Sequence, residues 1–194
     1  LAIVLDGGRG GRAAFEAVRD ALKQVGGQGG LGVWIAYDGA IEVAKTNGGH
    51  LEGIIGAMGG PISTFAGGHD PVPALEAAWD WAAQVPGSTV LWVHGPQPVL
   101  LGGAYGITQR LERTWGTGTQ LLDFQAGLGP NRIAREAAGI AGYSNVPRLG
   151  TVTEDLVRLL QQWTGATPHF VWQMERAETD PAPEPAASRH LVRL

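Results

Sequence analysis

The chain has 194 residues, of which 44% are hydrophobic, and a formal net charge of −4 from 14 Lys and Arg set against 18 Asp and Glu. That size and apolar content fit one folded core with a short appendage, and the scattered basic residues exclude an electrostatic footprint for nucleic acid or an acidic membrane surface. With no cysteines, disulfides and thiolate metal sites are excluded while the compartment stays open, and no apolar run approaches the roughly 18 residues of a membrane span.

Leu1 to Leu5 is a continuous apolar run, the pattern of a strand buried on both faces, and it ends at Asp6 before a glycine loop, Gly7-Gly8-Arg9-Gly10-Gly11. Because the chain starts inside this run without a methionine, it reads as a piece of something longer. The expectation is a soluble domain of unknown localisation, with any membrane anchor outside it. A helix is expected over Ala13 to Val25, where Ala14, Phe15, Val18, Leu22 and Val25 share one face and Gly26-Gly27 stops the pattern. Val33 to Tyr37 and Ala40 to Val43 are two β-favouring runs separated by Asp38-Gly39, a strong hairpin signal. The second strand therefore turns straight back into an antiparallel neighbour, which makes the sheet mixed.

Residues 46–68 are glycine-rich with a short helix over Leu51 to Met58, and Pro71 to Val85 reads as a helix with prolines in its first turn. Val90 to Val93 is another buried strand, ending at His94. A helix over Ile107 to Trp115, a strand over Gln120 to Gln125, a helix over Asn131 to Ala138 and a helix over Thr153 to Trp163 follow, the last begun by Thr153 and Asp155. Phe170 to Met174 is the expected final strand. The expected division is one domain over 1–175 and a flexible Pro/Ala/Glu-rich tail over 176–194.

Ligands of open α/β sheets bind at the carboxyl ends of the strands. Three such ends carry chemistry: Asp6 with Gly8, Arg9 and Gly10; Gly68-His69-Asp70; and His94. The order of apolar strand, Asp-Gly-Gly-Arg-Gly, helix, then a Gly-Gly-x-Asp loop before a helix, then a strand ending in a glycine loop resembles the von Willebrand factor A family over about residues 1–165. It is most similar to bacterial proteins that pair this domain with a vault/inter-α-trypsin domain. The resemblance implies a Rossmann-like α/β fold with a central, mostly parallel mixed sheet, one antiparallel edge strand and helices on both faces. It also implies a protein-interaction or adhesion module that binds another protein and not nucleic acid, with no conventional enzymatic activity.

In that family an adhesion site holds a metal through Asp-x-Ser-x-Ser, a threonine and a second aspartate. Here the resemblance places Asp6 at the first aspartate, Gly8 and Gly10 at the serines, His69 at the threonine and His94 at the second aspartate, with Asp70 beside His69. Loss of these oxygens removes the preference for magnesium. The expectation is a degenerate site whose loops keep their shape without a metal, with Arg9 a candidate to neutralise Asp6. The alternative is a transition-metal site of Asp6, His69 and His94, taking zinc or manganese ahead of magnesium, with a metalloenzyme role. A second alternative, a nucleotide-binding enzyme, rests on Gly8-x-Gly10-x-x-Ala13 between strand and helix, and the hairpin at Asp38 counts against it. Trp34, Trp79 and Trp92 fall at core positions, and the apolar loop Val99 to Leu101 is a candidate partner surface.

Overall fold

The computed structural model describes residues 1–165 apart from Gln28, Asp38, 60–64, 66–69, Pro98, Val99 and Trp115. Asp38, His69, Val99, the expected strand Phe170–Met174 and the boundary and tail after residue 175 thus lie outside the described residues.

The elements alternate in chain order: β1 (Ala2–Asp6), α1 (Gly11–Val25), β2 (Leu31–Ala36), β3 (Ala40–Thr46), α2 (Glu52–Ala57), α3 (Val72–Ala82), β4 (Thr89–His94), α4 (Tyr105–Arg113), β5 (Gln120–Gln125), α5 (Arg132–Ala137), β6 (Tyr143–Asn145) and α6 (Val152–Gly165). The six strands form one sheet in the order β3-β2-β1-β4-β5-β6. All neighbours are parallel except β2 and β3, which pair antiparallel with Ala36 opposite Ala40. The expected hairpin is therefore present, and β3 is the antiparallel edge. Strand β2 runs directly into β3, in contrast to the crossover helix of a dinucleotide-binding βαβ unit.

The central strands are apolar at every position because both faces are covered. On one side Ile3, Leu5, Val33, Ile35, Leu91, Val93 and Phe124 meet α1, α2 and α6 through Phe15, Val18, Leu22, Ile54, Leu156 and Leu160. On the other, Val4, Trp34, Trp92 and Leu121 meet α3, α4 and α5 through Leu75, Trp79, Ile107, Leu111 and Ile133. Trp34, Trp79 and Trp92 are buried as expected. Strand β6 has no counterpart in the sequence reading, since three residues are too few to show a period. Helix α6 also starts earlier than Thr153. Thr151 and Glu154 form a reciprocal capping box, the Thr151 N–H donating to Oε2 of Glu154 at 2.9 Å and the Glu154 N–H to the Thr151 hydroxyl at 3.3 Å.

Strand β1 connects to β2 on one side and borders β4 on the other, so the strand order switches between β1 and β4. The crevice outside the carboxyl ends of these two strands is the position that such a sheet offers to ligands.

Candidate functional site

Asp6 closes β1, and its Oδ1 accepts the Gly8 N–H at 2.9 Å, an Asx turn that starts the glycine loop. The loop is wound so tightly that side chains would collide with backbone. A Cβ on Gly7 would lie 2.2 Å from the Ala36 carbonyl oxygen, and one on Gly11 1.7 Å from that of Asp6. At Gly10 nothing stands within 4 Å of such an atom, so the glycine there is not forced by packing. Arg9 is exposed and makes no ion pair with Asp6 among the described residues, which argues against an internal counter-charge. The second carboxylate oxygen of Asp6 has no hydrogen bond among the described residues.

Asp70 is buried and works as a clamp. Its Oδ1 accepts from Val72 N at 3.0 Å, a turn across Pro71 at the start of α3, and its Oδ2 accepts from Leu101 N at 2.8 Å, tying the β4–α4 loop to that helix.

His94 is buried at the end of β4. Its ring stacks on Trp92 with centroids 3.5 Å apart and 11° between planes. Its Nε2 lies 2.7 Å from Oδ1 of Asp123 and its Nδ1 2.5 Å from the Gly95 carbonyl oxygen. Nδ2 of Asn131 also lies 3.4 Å from Nε2, so both ring nitrogens are engaged within the domain. Asp123 is fully buried, and its other oxygen accepts from Nδ2 of Asn131 at 2.8 Å and from the Tyr143 hydroxyl at 2.7 Å. Burial, reinforced by the Asp123 charge and hydrogen bond, pushes the Tyr143 phenol far up, so it keeps its proton and donates. Asn131 also caps α5 by accepting from Ala134 N at 2.9 Å, and Oε1 of the buried Gln97 accepts from Arg132 N at 3.1 Å. A polar lock thus binds β4, β5, β6 and α5 into one unit.

The sequence reading named His94 but not Asp123, Asn131, Tyr143 or Gln97. A carboxylate inside the apolar run Leu121-Leu122-Asp123-Phe124 was the available signal, because a buried charge demands partners.

The described residues do not supply the oxygen-rich shell that a hard divalent cation needs. Gly8 and Gly10 bring no side-chain oxygen, and both nitrogens of His94 are engaged. No group of three His, Asp or Glu able to hold a metal occurs among the described residues; His69 lies outside them.

The loops around the crevice present apolar side chains to solvent. Leu101 in the β4–α4 loop is 84% exposed, Leu128 in the β5–α5 loop 99% and Leu149 in the β6–α6 loop 74%. Tyr105, at the start of α4, is also exposed. Since β4, β5 and β6 are consecutive neighbours about 4.8 Å apart, these loops rise from roots within about 10 Å of one another.

No family model matches the sequence, and no curated protein matches it. Among solved structures, a von Willebrand factor type A protein from Catenulispora acidiphila superposes with a TM-score of 0.58 at 15% identity, over 84% of this chain and 42% of that one. Proximal thread matrix protein 1 of the mussel byssus, with a zinc-occupied MIDAS motif, gives 0.58 at 14% identity over 82% and 45%. The manganese-loaded Plasmodium vivax TRAP protein gives 0.52 at 13% identity over 84% and 72%. The chain spans less than half the length of the first two. At these identities the likeness concerns the fold, and with the sheet order and the two helical layers it establishes that this chain has the von Willebrand factor A fold.

Proposed function

We propose that this chain is a protein-interaction module that engages its partner through the β4–α4, β5–α5 and β6–α6 loops, and that the adhesion metal site of its fold is lost. The carrying observation is the set of exposed leucines, Leu101, Leu128 and Leu149, on three adjacent loops at the ligand-binding end of the sheet. Single exposed leucines are unremarkable, but apolar groups gathered on neighbouring loops mark an interaction surface. The Asp70 clamp and the Asp123 lock hold the roots of these loops, so little ordering entropy opposes binding. Metal capture of an acidic side chain, the mode of an intact adhesion site, has no donor set among the described residues to support it.

The module is not an enzyme in this reading. The His94–Asp123 pair has the composition of an acid–base dyad, yet it is buried and its second nitrogen is bound to Gly95. The competing zinc or manganese site of Asp6, His69 and His94 requires His94 to free one of its engaged ring nitrogens and swing out of its stack on Trp92.

The test is affinity capture with the full chain as bait, in the presence of EDTA, against the Leu101→Asp/Leu128→Asp variant and against Gln24→Asp on the outer side of α1. Partners retained in EDTA, kept by Gln24→Asp and lost by the loop variant are the expected result. Capture that needs added magnesium, manganese or zinc, or that survives the loop variant, overturns the proposal.

A further inference from the structure

The two edges of the sheet are unlike. Strand β6 at one edge has three residues, whereas β3 at the other has seven, Ala40–Thr46, and among the described residues no strand pairs with its outer side. The direction of its backbone groups follows from the inner ladder. Gly32 N donates to the Leu1 carbonyl and Gly7 N to the Ala36 carbonyl, so alternate residues of β2 bond to β1 and the others, Leu31, Val33 and Ile35, bond to β3. Their partners are Thr46, Ala44 and Ile41, and the register shifts between Val33 and Trp34, where Val43 is the extra residue of a bulge. Ala40, Glu42 and Lys45 therefore aim their N–H and C=O groups away from the sheet, a row of the kind that templates pairing with another chain.

The charges along this edge indicate what pairs with it. Ala40, Glu42 and Lys45 are exposed, and Nζ of Lys45 donates to Oε2 of Glu42 at 2.9 Å, so the acid and the base stand on the same face. A lone edge lysine discourages pairing, but an acid and a base together make the strand complementary to its own reverse. In an antiparallel pair of two β3 strands centred between Val43 and Ala44, Glu42 lies opposite Lys45 of the partner subunit and Lys45 opposite Glu42 of the partner subunit. The two bulges then face each other, which keeps the outward amide groups in step. Registers centred on Glu42 or on Lys45 set like charges face to face, which is destabilising. Helix α2 packs on the other face of β3 and turns Gly53, Gly56 and Ala57 to solvent. A Cβ at either glycine would meet nothing within 4 Å, so α2 puts no bulk in the way of a second copy beside the edge.

We infer that β3 is a self-association edge, at which two copies of the chain pair their β3 strands antiparallel about a two-fold axis and Glu42 and Lys45 form reciprocal cross-strand pairs. The two six-stranded sheets then run on into one another. The inference goes beyond the proposed loop surface and does not depend on it. Strands β4, β5 and β6 lie in the half of the sheet away from β3, so a dimer joined at β3 presents their loops twice.

Sedimentation equilibrium of the full chain decides this, with Glu42→Lys, Lys45→Glu and the double swap Glu42→Lys/Lys45→Glu. The parent is expected to form a reversible dimer. Each single variant sets like charges opposite one another at two positions and is expected to weaken association about tenfold or more. In the double swap opposite charges face each other again, and association is expected to return to within about threefold of the parent. An equimolar mixture of the two single variants is expected to form a heterodimer of the parent's strength, which neither variant matches alone. A parent that stays monomeric up to about 1 mM overturns the inference. Single variants that associate as tightly as the parent place the interface elsewhere and overturn it, as does a double swap or a mixture no tighter than the single variants.

Discussion

His94 occupies a strand end where a ligand would be expected, and its ring is folded back over Trp92 onto a fully buried Asp123. That carboxylate depends on three donors, His94, Asn131 and Tyr143. Removing a buried ionic partner strands the groups around it, so Asp123→Ala is expected to lower stability by about 3–5 kcal/mol in urea unfolding, while Tyr143→Phe, which deletes one donor, lowers it by about 1 kcal/mol. A loss below about 0.5 kcal/mol for Asp123→Ala, the level of an ordinary surface change, contradicts the lock. The glycine loop makes a parallel prediction. Gly10→Ser enters open space and changes stability by less than about 0.5 kcal/mol, whereas Gly11→Ala drives a Cβ into the Asp6 carbonyl and costs about 3 kcal/mol. At this scale the sequence was partly legible. Asp6 and His94 stand out because they end apolar strands, but the bond from His94 to Asp123 joins residues 29 apart, and no local pattern encodes it.

Among the elements, the helices were legible wherever a long apolar stripe met a stop signal. Val18 and Leu22 with Gly26 marked α1, and Leu75 and Trp79 marked α3. The start of α6 was misplaced because two capping signals lie close together. Thr151 with Glu154 makes the capping box, and Asp155, taken as a starter, sits inside the helix and gathers the preceding loop instead. The Asp155 carboxylate accepts from Leu149 N and Gly150 N and pairs with Arg148 at 3.1 Å and Arg158 at 2.9 Å. Burial alone would raise its pKa. The backbone donors of Gly150 and Leu149, with Arg148 and Arg158, outweigh burial and hold it below the ordinary aspartate value of 3.8. A depressed carboxyl gives its stabilisation in full above that unfolded-state value and loses it as pH falls through the lower folded-state value. Asp155→Asn is therefore expected to be less stable than the parent at neutral pH, with the difference shrinking as pH falls below 3.8 in denaturant titrations. A constant difference across that range contradicts the assignment.

For the whole molecule, the mixed sheet followed from one local feature, two β-favouring runs joined by Asp38-Gly39, and the observed order β3-β2-β1-β4-β5-β6 has the antiparallel strand at its edge. The full burial of the central strands was equally readable from their unbroken apolar runs. What the sequence did not reveal is where loops from distant segments meet. Leu101, Leu128 and Leu149 are isolated residues along the chain, and the proposed surface draws on all three only because β4, β5 and β6 are neighbours. A cleft at the amino ends of the strands, lined by Trp81 and Trp163, was hidden for the same reason, since these residues come from helices on opposite faces of the sheet. The proposed loss of the adhesion metal site rests on a strand-end crevice in which both carboxylate oxygens of Asp70 and both ring nitrogens of His94 are already engaged within the domain. Titration calorimetry of the EDTA-treated full chain with magnesium, manganese and zinc in turn tests this most directly. No saturable binding of any of the three ions is the predicted result; stoichiometric zinc or manganese binding that disappears in both His69→Ala and His94→Ala contradicts it.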